Sequence, residues 1–178
     1  MIIVGFPGIG KSSVCSEQFN IDKSCIDLES SNFSKQPGWE IDYVNVAMDL
    51  SRQGYIVFVS SHKEVRMALK SFAEPSSVLL VFPALELEDM WLERLRNRYQ
   101  STHSTKNYKA LEYMLNNYKS AVNDMWQDQL PHKLVLTEEH NLNDLRESIN
   151  RYVGGCIQGP THLSIPGLQD IAVPERIN

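Results

Sequence analysis

Gly5, Gly8, Gly10, Lys11 and Ser12 follow four apolar residues, Met1 to Val4, at the spacing GxxxxGK[ST]. These types at this spacing suit one kind of chemistry. Glycines let a backbone curl until successive N–H groups point inward at anionic oxygens. A helix opening near Lys11 adds unbonded N–H groups and its positive dipole end. Lys11 then reaches the outer phosphates of a polyphosphate as a point charge, and the Ser12 hydroxyl is placed to ligate Mg²⁺. The candidate cradle is Gly5, Gly8, Ile9, Gly10, Lys11, Ser12 and Ser13. It falls between a predicted strand and a predicted helix, which is the context the pattern needs.

Three further groups of residues could act on a bound phosphate. Asp27 and Glu29, in Cys-Ile-Asp-Leu-Glu, end a short apolar run. Ser60, Ser61, His62 and Lys63 end the strongest strand pattern of the chain, and Arg66 stands one helical turn further on. Arg94, Arg96 and Arg98 share a predicted helix. At about 100° per residue, Trp91, Leu92, Leu95 and Tyr99 form its apolar stripe; Arg94 and Arg98 lie together on one edge and Arg96 on the other. Arg94 and Arg98 are therefore assigned to phosphate and Arg96 to solvent. The candidate later strands end in Val-Ser-Ser-His and Val-Phe-Pro-Ala-Leu without an acid. That argues against the motor ATPases and switch GTPases, which place a metal-linked aspartate there.

The elements that must position these residues read as a strict alternation. Strands are expected at residues 1–4, 24–30, 55–62, 77–85 and 133–137. Helices are expected at residues 11–19, 39–53, 63–72, 87–99, 108–127 and 141–153. In the helix from Trp39, the residues Trp39, Tyr43, Val46, Ala47 and Leu50 recur at helical spacing, and Gly54 is a C-cap signal. Near-continuous apolar strands alternating with helices imply a parallel sheet covered on both faces. With right-handed crossovers the expected fold is α/β: a three-layer, doubly wound, five-stranded parallel sheet, in one domain over residues 1–153. Residues 154–178 are rich in Gly and Pro and read as an extended C-terminal tail.

The totals narrow the class. The chain has 178 residues, 42% hydrophobic and 22% charged, and a net charge of −5. One domain with a sizeable core fits that length. The acidic balance argues against nucleic acid as a partner. No segment reaches the apolar length of a membrane span, and the start has no basic flank of a signal peptide, so a cytoplasmic protein is expected. Cys15, Cys25 and Cys156 lack metal-ligand spacing and are expected as reduced thiols. Oligomeric state is not legible.

With these residues in view, the chain resembles the small-molecule kinase branch of P-loop proteins, which includes shikimate kinase, gluconate kinase and the nucleoside monophosphate kinases. In shikimate kinase the second strand ends in an Asp-x-Asp pair, and Asp27 and Glu29 match it in place and spacing, with Glu in place of the second Asp. The resemblance implies that Asp27 helps hold hydrated Mg²⁺ together with Ser12, and that Glu29 binds the acceptor or takes its proton. Residues 57–70 are similar to gluconate kinase, which implies that Ser60, Ser61, His62, Lys63 and Arg66 face the acceptor. The segment 91–107 resembles the helical lid of these families, expected around residues 94–109, with Arg94 and Arg98 closing on the moving phosphoryl group. The resemblance covers residues 1–153, and only the phosphate loop is highly specific.

The expectation is an ATP–Mg²⁺-dependent phosphotransferase with Lys11, Asp27, Arg94 and Arg98 in catalytic roles. Its acceptor is a nucleoside or nucleoside monophosphate, bound by Glu29, Trp39 and Arg66 with Phe33 nearby and the helix from Trp39 as a wall. A sugar acid or polyol is the second acceptor class. An ATP-binding sensor or docking module without turnover is the alternative of a different kind.

Overall fold

A computed structural model describes residues 1–15, 25–137 and 147. The helix expected at 141–153, the tail 154–178, the extension of the first helix to residue 19 and Cys156 lie outside the described residues, apart from Glu147. In chain order the elements are β1 (Ile2–Gly5), α1 (Lys11–Val14), β2 (Cys25–Asp27), α2 (Trp39–Arg52), β3 (Ile56–Ser60), α3 (Lys63–Phe72), β4 (Val78–Pro83), α4 (Glu88–Thr102), α5 (Thr105–Trp126) and β5 (His132–Leu136). The chain is thus α/β.

All five strands are parallel, in the order β2-β3-β1-β4-β5. β1 and β4 are buried along their whole length, and β3 up to its last residue. This is why these strands read as unbroken apolar runs: side chains on both faces meet helices, so neither face selects polar residues. The connection from β1 to β2 runs in the opposite lateral direction to the three that follow. Right-handed crossovers therefore place α1 on one face and α2, α3 and α5 on the other. The register sets Gly5 opposite Ser60 and Val81, and Asp27 opposite Phe58. The carboxyl ends of β1, β2 and β3 consequently meet at one edge, where the strand order reverses around β1. In open α/β sheets that crevice is where ligands bind.

Helix boundaries follow local chemistry. Gly38 and Gly54 bracket α2 with φ of 87° and 93°, values at which any Cβ would be strained. The buried stripe of α2 is Tyr43, Val44, Ala47 and Met48, whereas Val46 is 39% exposed, so the apolar face is turned from the one expected. The stripe of α4 falls as expected on Trp91, Leu92 and Leu95.

One expectation is corrected here. Cys15 and Cys25 are joined in a disulfide, with Cα atoms 5.1 Å apart and a sequence separation of 10. The thiols meet because α1 packs beside β2, a tertiary contact that the cysteine spacing does not encode.

Candidate active site

The phosphate loop is shaped by its glycines and by α4. A Cβ on Gly5 would sit 2.6 Å from Ile9 Cδ1 and 2.8 Å from Lys11 Cδ, so only glycine lets the lysine stem fold back over the strand end. Gly8, at φ +87°, would press a Cβ to 3.1 Å from Trp91 Nε1 and from Leu95 Cδ2. Gly10 is left-handed at φ 94° and begins α1, whose first backward bond is Val14 N–H to the Gly10 carbonyl at 2.9 Å. The amides ahead of Val14 thus stand at the open end of the turn. The Trp91 indole N–H donates to the Pro7 carbonyl at 2.7 Å, and Phe6 packs edge-on to Trp91 and Tyr118. Such a bond adds about 1 kcal/mol, and it fixes α4 against the loop.

Asp27 and Ser12 come together from different elements. The Ser12 hydroxyl donates to Asp27 Oδ2 at 2.6 Å. Asp27 Oδ1 is buried and has no hydrogen-bond partner among the described residues. Lys11 Nζ donates to the Gly5 carbonyl at 3.2 Å. Burial lowers the Lys11 pKa below its ordinary value; Asp27 and Glu29 oppose that, while Lys106 and Arg98 reinforce it. A nearby anion would favour the charged form of this buried amine.

Glu29 pairs with Lys106, at the start of α5. Two residues earlier, Ser104 caps α5 by accepting from the Asn107 amide at 3.2 Å, and the buried Asn107 side chain donates to Thr102 Oγ1 at 2.7 Å. With His103 at φ 50°, these bonds make the corner between α4 and α5 a fixed platform for Lys106.

Tyr43 bolts the ends of β2 and β3 together. Its hydroxyl donates to the Leu28 carbonyl at 2.6 Å and accepts from the Ser60 amide at 3.0 Å. Burial pushes its pKa up to about 12. His62 precedes α3, lies 3.4 Å from Ser60 Oγ through Nδ1, and packs edge-on to Trp39. Burial, and then the charge of Lys35, hold His62 below the usual histidine range.

A cavity of about 960 Å³, within the range of small-ligand sites, opens among these elements. It contains the whole loop from Gly5 to Ser13, the carboxylates Asp27 and Glu29, and the strand end Ser60 to Lys63. Arg94, Arg98, Lys106 and Lys109 line it from α4 and α5. Arg94 also lies over the Trp91 ring, 4.8 Å from its centroid, and no ion pair engages Arg98 among the described residues. Arg96 pairs with Glu93 and is exposed, as its place on the helix implied.

Two residues expected to bind the acceptor are occupied elsewhere. Trp39 packs against Tyr43 and His62, with Lys35 Nζ 3.1 Å above its ring, and does not line the cavity. Phe33 stacks on Tyr43. No residue of α2 lines the cavity; the walls come from α3 and α5 instead. Arg66 reaches the cavity, but it is 5% exposed and its Nε donates to Asp128 at 2.8 Å while Nη1 donates to the Ser61 carbonyl. Its guanidinium braces the end of β3 against the residues after α5 rather than offering an open fork. Lys106 and His103 lie in the lid segment within reach of a nucleotide, but the sequence reading assigned them no role, and it missed Tyr43 and the α5 wall that includes Tyr113 and Met114. A capping signal was present for Lys106: Ser104 precedes an amphipathic run, which places Lys106 in a first turn.

The residues fit a hydrated Mg²⁺. The orphaned Asp27 oxygen and the Ser12 hydroxyl beside it are hard oxygen ligands, and no group of three His, Cys, Asp or Glu side chains forms a protein cage among the described residues. Mg²⁺ that retains water and leans on phosphate needs no such cage. Among the described residues no helix is long and apolar enough to cross a membrane. Comparison with protein-family models and with curated proteins finds no match.

Proposed function

We propose that the chain is an ATP-dependent phosphotransferase acting on a hydroxyl of a small molecule. The observation that carries this reading is the Ser12–Asp27 contact at the foot of a glycine-built loop that opens, with Lys11, into the cavity. ATP lies with its β- and γ-phosphates on the loop amides and Lys11. Ser12 and Asp27 would hold a hydrated Mg²⁺, which would supply charge neutralisation to the phosphates.

The acceptor lies between the ends of β2 and β3 and the α5 wall. Its hydroxyl oxygen forms a bond to the γ-phosphorus as the bond to the β-bridging oxygen breaks, and ADP leaves. The hydroxyl proton passes to Glu29 or Asp27. Arg94 and Arg98 neutralise charge on the moving group. Their helix is anchored through Trp91 and already lines the cavity, so the clamp needs side-chain movement more than a swing of the hairpin.

A nucleoside is the first acceptor class, with Tyr113 and Met114 taking the apolar role expected of Trp39. A phosphate-bearing acceptor is less well served, because Arg66 is committed to Asp128. A sugar acid is the second reading, favoured by Ser60, Ser61 and Lys63 in the lining. The deciding experiment incubates the protein with ATP–Mg²⁺ and pooled nucleosides, nucleotides and sugar acids. A mass gain of one phosphoryl group on one class identifies the acceptor. Tight ATP binding with no such gain turns the reading into an ATP-binding module without turnover.

A further inference from the structure

We propose that Lys106 is a second phosphoryl-directed cation of this site, held off the phosphate by Glu29 until an acceptor hydroxyl takes Glu29 over. The inference rests on the phosphotransferase reading and deepens it, because it couples acceptor binding to completion of the cationic clamp.

Three observations carry it. First, Glu29 and Lys106 come from opposite sides of the cavity, one past the end of β2 and one on the first turn of α5, and both line it. Second, the Lys106 charge acts on Lys11, so the two ammonium groups address the same region. Third, the platform beneath Lys106 is fixed by the Ser104 cap and the Thr102–Asn107 bond. Release of Lys106 from Glu29 is therefore a rotation of one flexible side chain, with no helix to move. Lys suits this role: its ammonium is a compact charge on a flexible four-carbon stem, which can exchange one oxygen partner for another.

The chemistry of the exchange is simple. While Glu29 holds Lys106, the two charges cancel locally and the γ-phosphate lacks one cation. An acceptor hydroxyl that donates to Glu29 weakens the pair, and Lys106 turns to the nearest anion, the phosphoryl group. The same pair then disfavours transfer to water when the acceptor is absent. In that side reaction a water oxygen bonds to the γ-phosphorus, the bond to the β-bridging oxygen breaks, ADP leaves with the electron pair, and the water proton is lost to solvent.

The test needs no knowledge of the acceptor. Hydrolysis of ATP–Mg²⁺ alone is measured for wild type, Glu29→Gln, Lys106→Met and the double variant, with ATP affinity measured calorimetrically for each. Both side chains are solvent-exposed in part, 33% and 55%, so the substitutions are tolerable to the fold. Glu29→Gln frees Lys106 and should raise acceptor-independent hydrolysis about tenfold, the scale of one added electrostatic group. In the double variant, which lacks the cation that Glu29→Gln frees, the rise should vanish. Lys106→Arg in the Glu29→Gln background should keep the rise. A rise that persists in the double variant, no rise at all, or loss of ATP binding in Glu29→Gln overturns the inference. Wild type that binds no ATP, or Lys11→Ala that binds it equally well, removes the underlying reading instead.

Discussion

The Ser12 hydroxyl sits 2.6 Å from Asp27 Oδ2, and the other oxygen of that carboxylate is buried without a partner among the described residues. One residue comes from the start of α1 and one from the end of β2, so the contact exists only because both elements reach the same sheet edge. A buried carboxylate oxygen left unbonded costs about 1–3 kcal/mol or more. Under the proposed function that oxygen is where Asp27 meets the hydrated metal. Asp27→Asn keeps the shape and halves the acceptor character. It should lower kcat by on the order of a hundredfold and raise the Mg²⁺ concentration needed for half-maximal rate. Steady-state rates across a Mg²⁺ series check this, and an unchanged Mg²⁺ dependence would return Asp27 to a structural role.

Lys11 makes a prediction with opposite signs for stability and activity. Burial disfavours its ammonium in the ligand-free fold, so its pKa lies below 10.5. The unfolded chain then binds more protons than the native one between the lowered value and 10.5, and stability contributed by this group rises with pH through that window. Lys11→Met removes the buried charge. It should raise the Tm of the ligand-free protein while abolishing ATP binding and phosphoryl transfer. Thermal melts with and without ATP–Mg²⁺ test it: wild type should gain Tm on adding nucleotide and the variant should not.

Arg98 lines the cavity and no ion pair engages it among the described residues. Arg98→Ala should therefore cost kcat on the order of a hundredfold with little change in Tm. Arg96→Ala, which loses only an exposed pair with Glu93, should leave kcat unchanged. Equal effects from the two would place both arginines on the surface.

The Arg66–Asp128 pair is nearly fully buried, with side chains 6% and 5% exposed. Burial pushes the Asp128 carboxyl up, but the Arg66 hydrogen bond, the Leu130 amide and the Lys70 charge outweigh it and hold the group below 3.8. A depressed carboxylate contributes stability above its unfolded pKa and loses it as pH falls through the folded value. Wild type should accordingly lose this contribution below about pH 4. Asp128→Asn should lose roughly 3–5 kcal/mol at pH 7 and show a flatter acid limb. Denaturant melts across pH decide it.

The disulfide joins Cys15, three residues after Ser12, to Cys25, two residues before Asp27. It closes a loop of ten residues. The chain-entropy account puts such a closure at about 2–3 kcal/mol. Cys25→Ser should lower Tm by roughly 4–12 °C for a domain of this size, and weaken ATP–Mg²⁺ binding by loosening the Ser12–Asp27 contact. Non-reducing peptide mapping shows the bridge directly; its absence removes this prediction.

Much of the α/β alternation was legible because it depends on local rules. Strands buried on both faces must be apolar throughout, and the order of apolar runs and amphipathic segments then dictates a parallel sheet. The tight turn after β1 was legible for a related reason: Gly8 and Gly10 take positive φ there, and Gly5 leaves room for the Ile9 and Lys11 side chains.

What the tertiary structure alone decided is which side chains are already spoken for. Arg66 and Trp39 have types and positions that suit an acceptor, and spacing gave no sign that Asp128 and Lys35 would claim them. Nothing in the spacing paired Lys106 with Glu29, and two cysteines ten positions apart became neighbours only when α1 met β2. Sequence by itself determines what a residue can do and roughly which element carries it. Partnership is settled by contacts between segments far apart in the chain, and such contacts leave no mark on local periodicity.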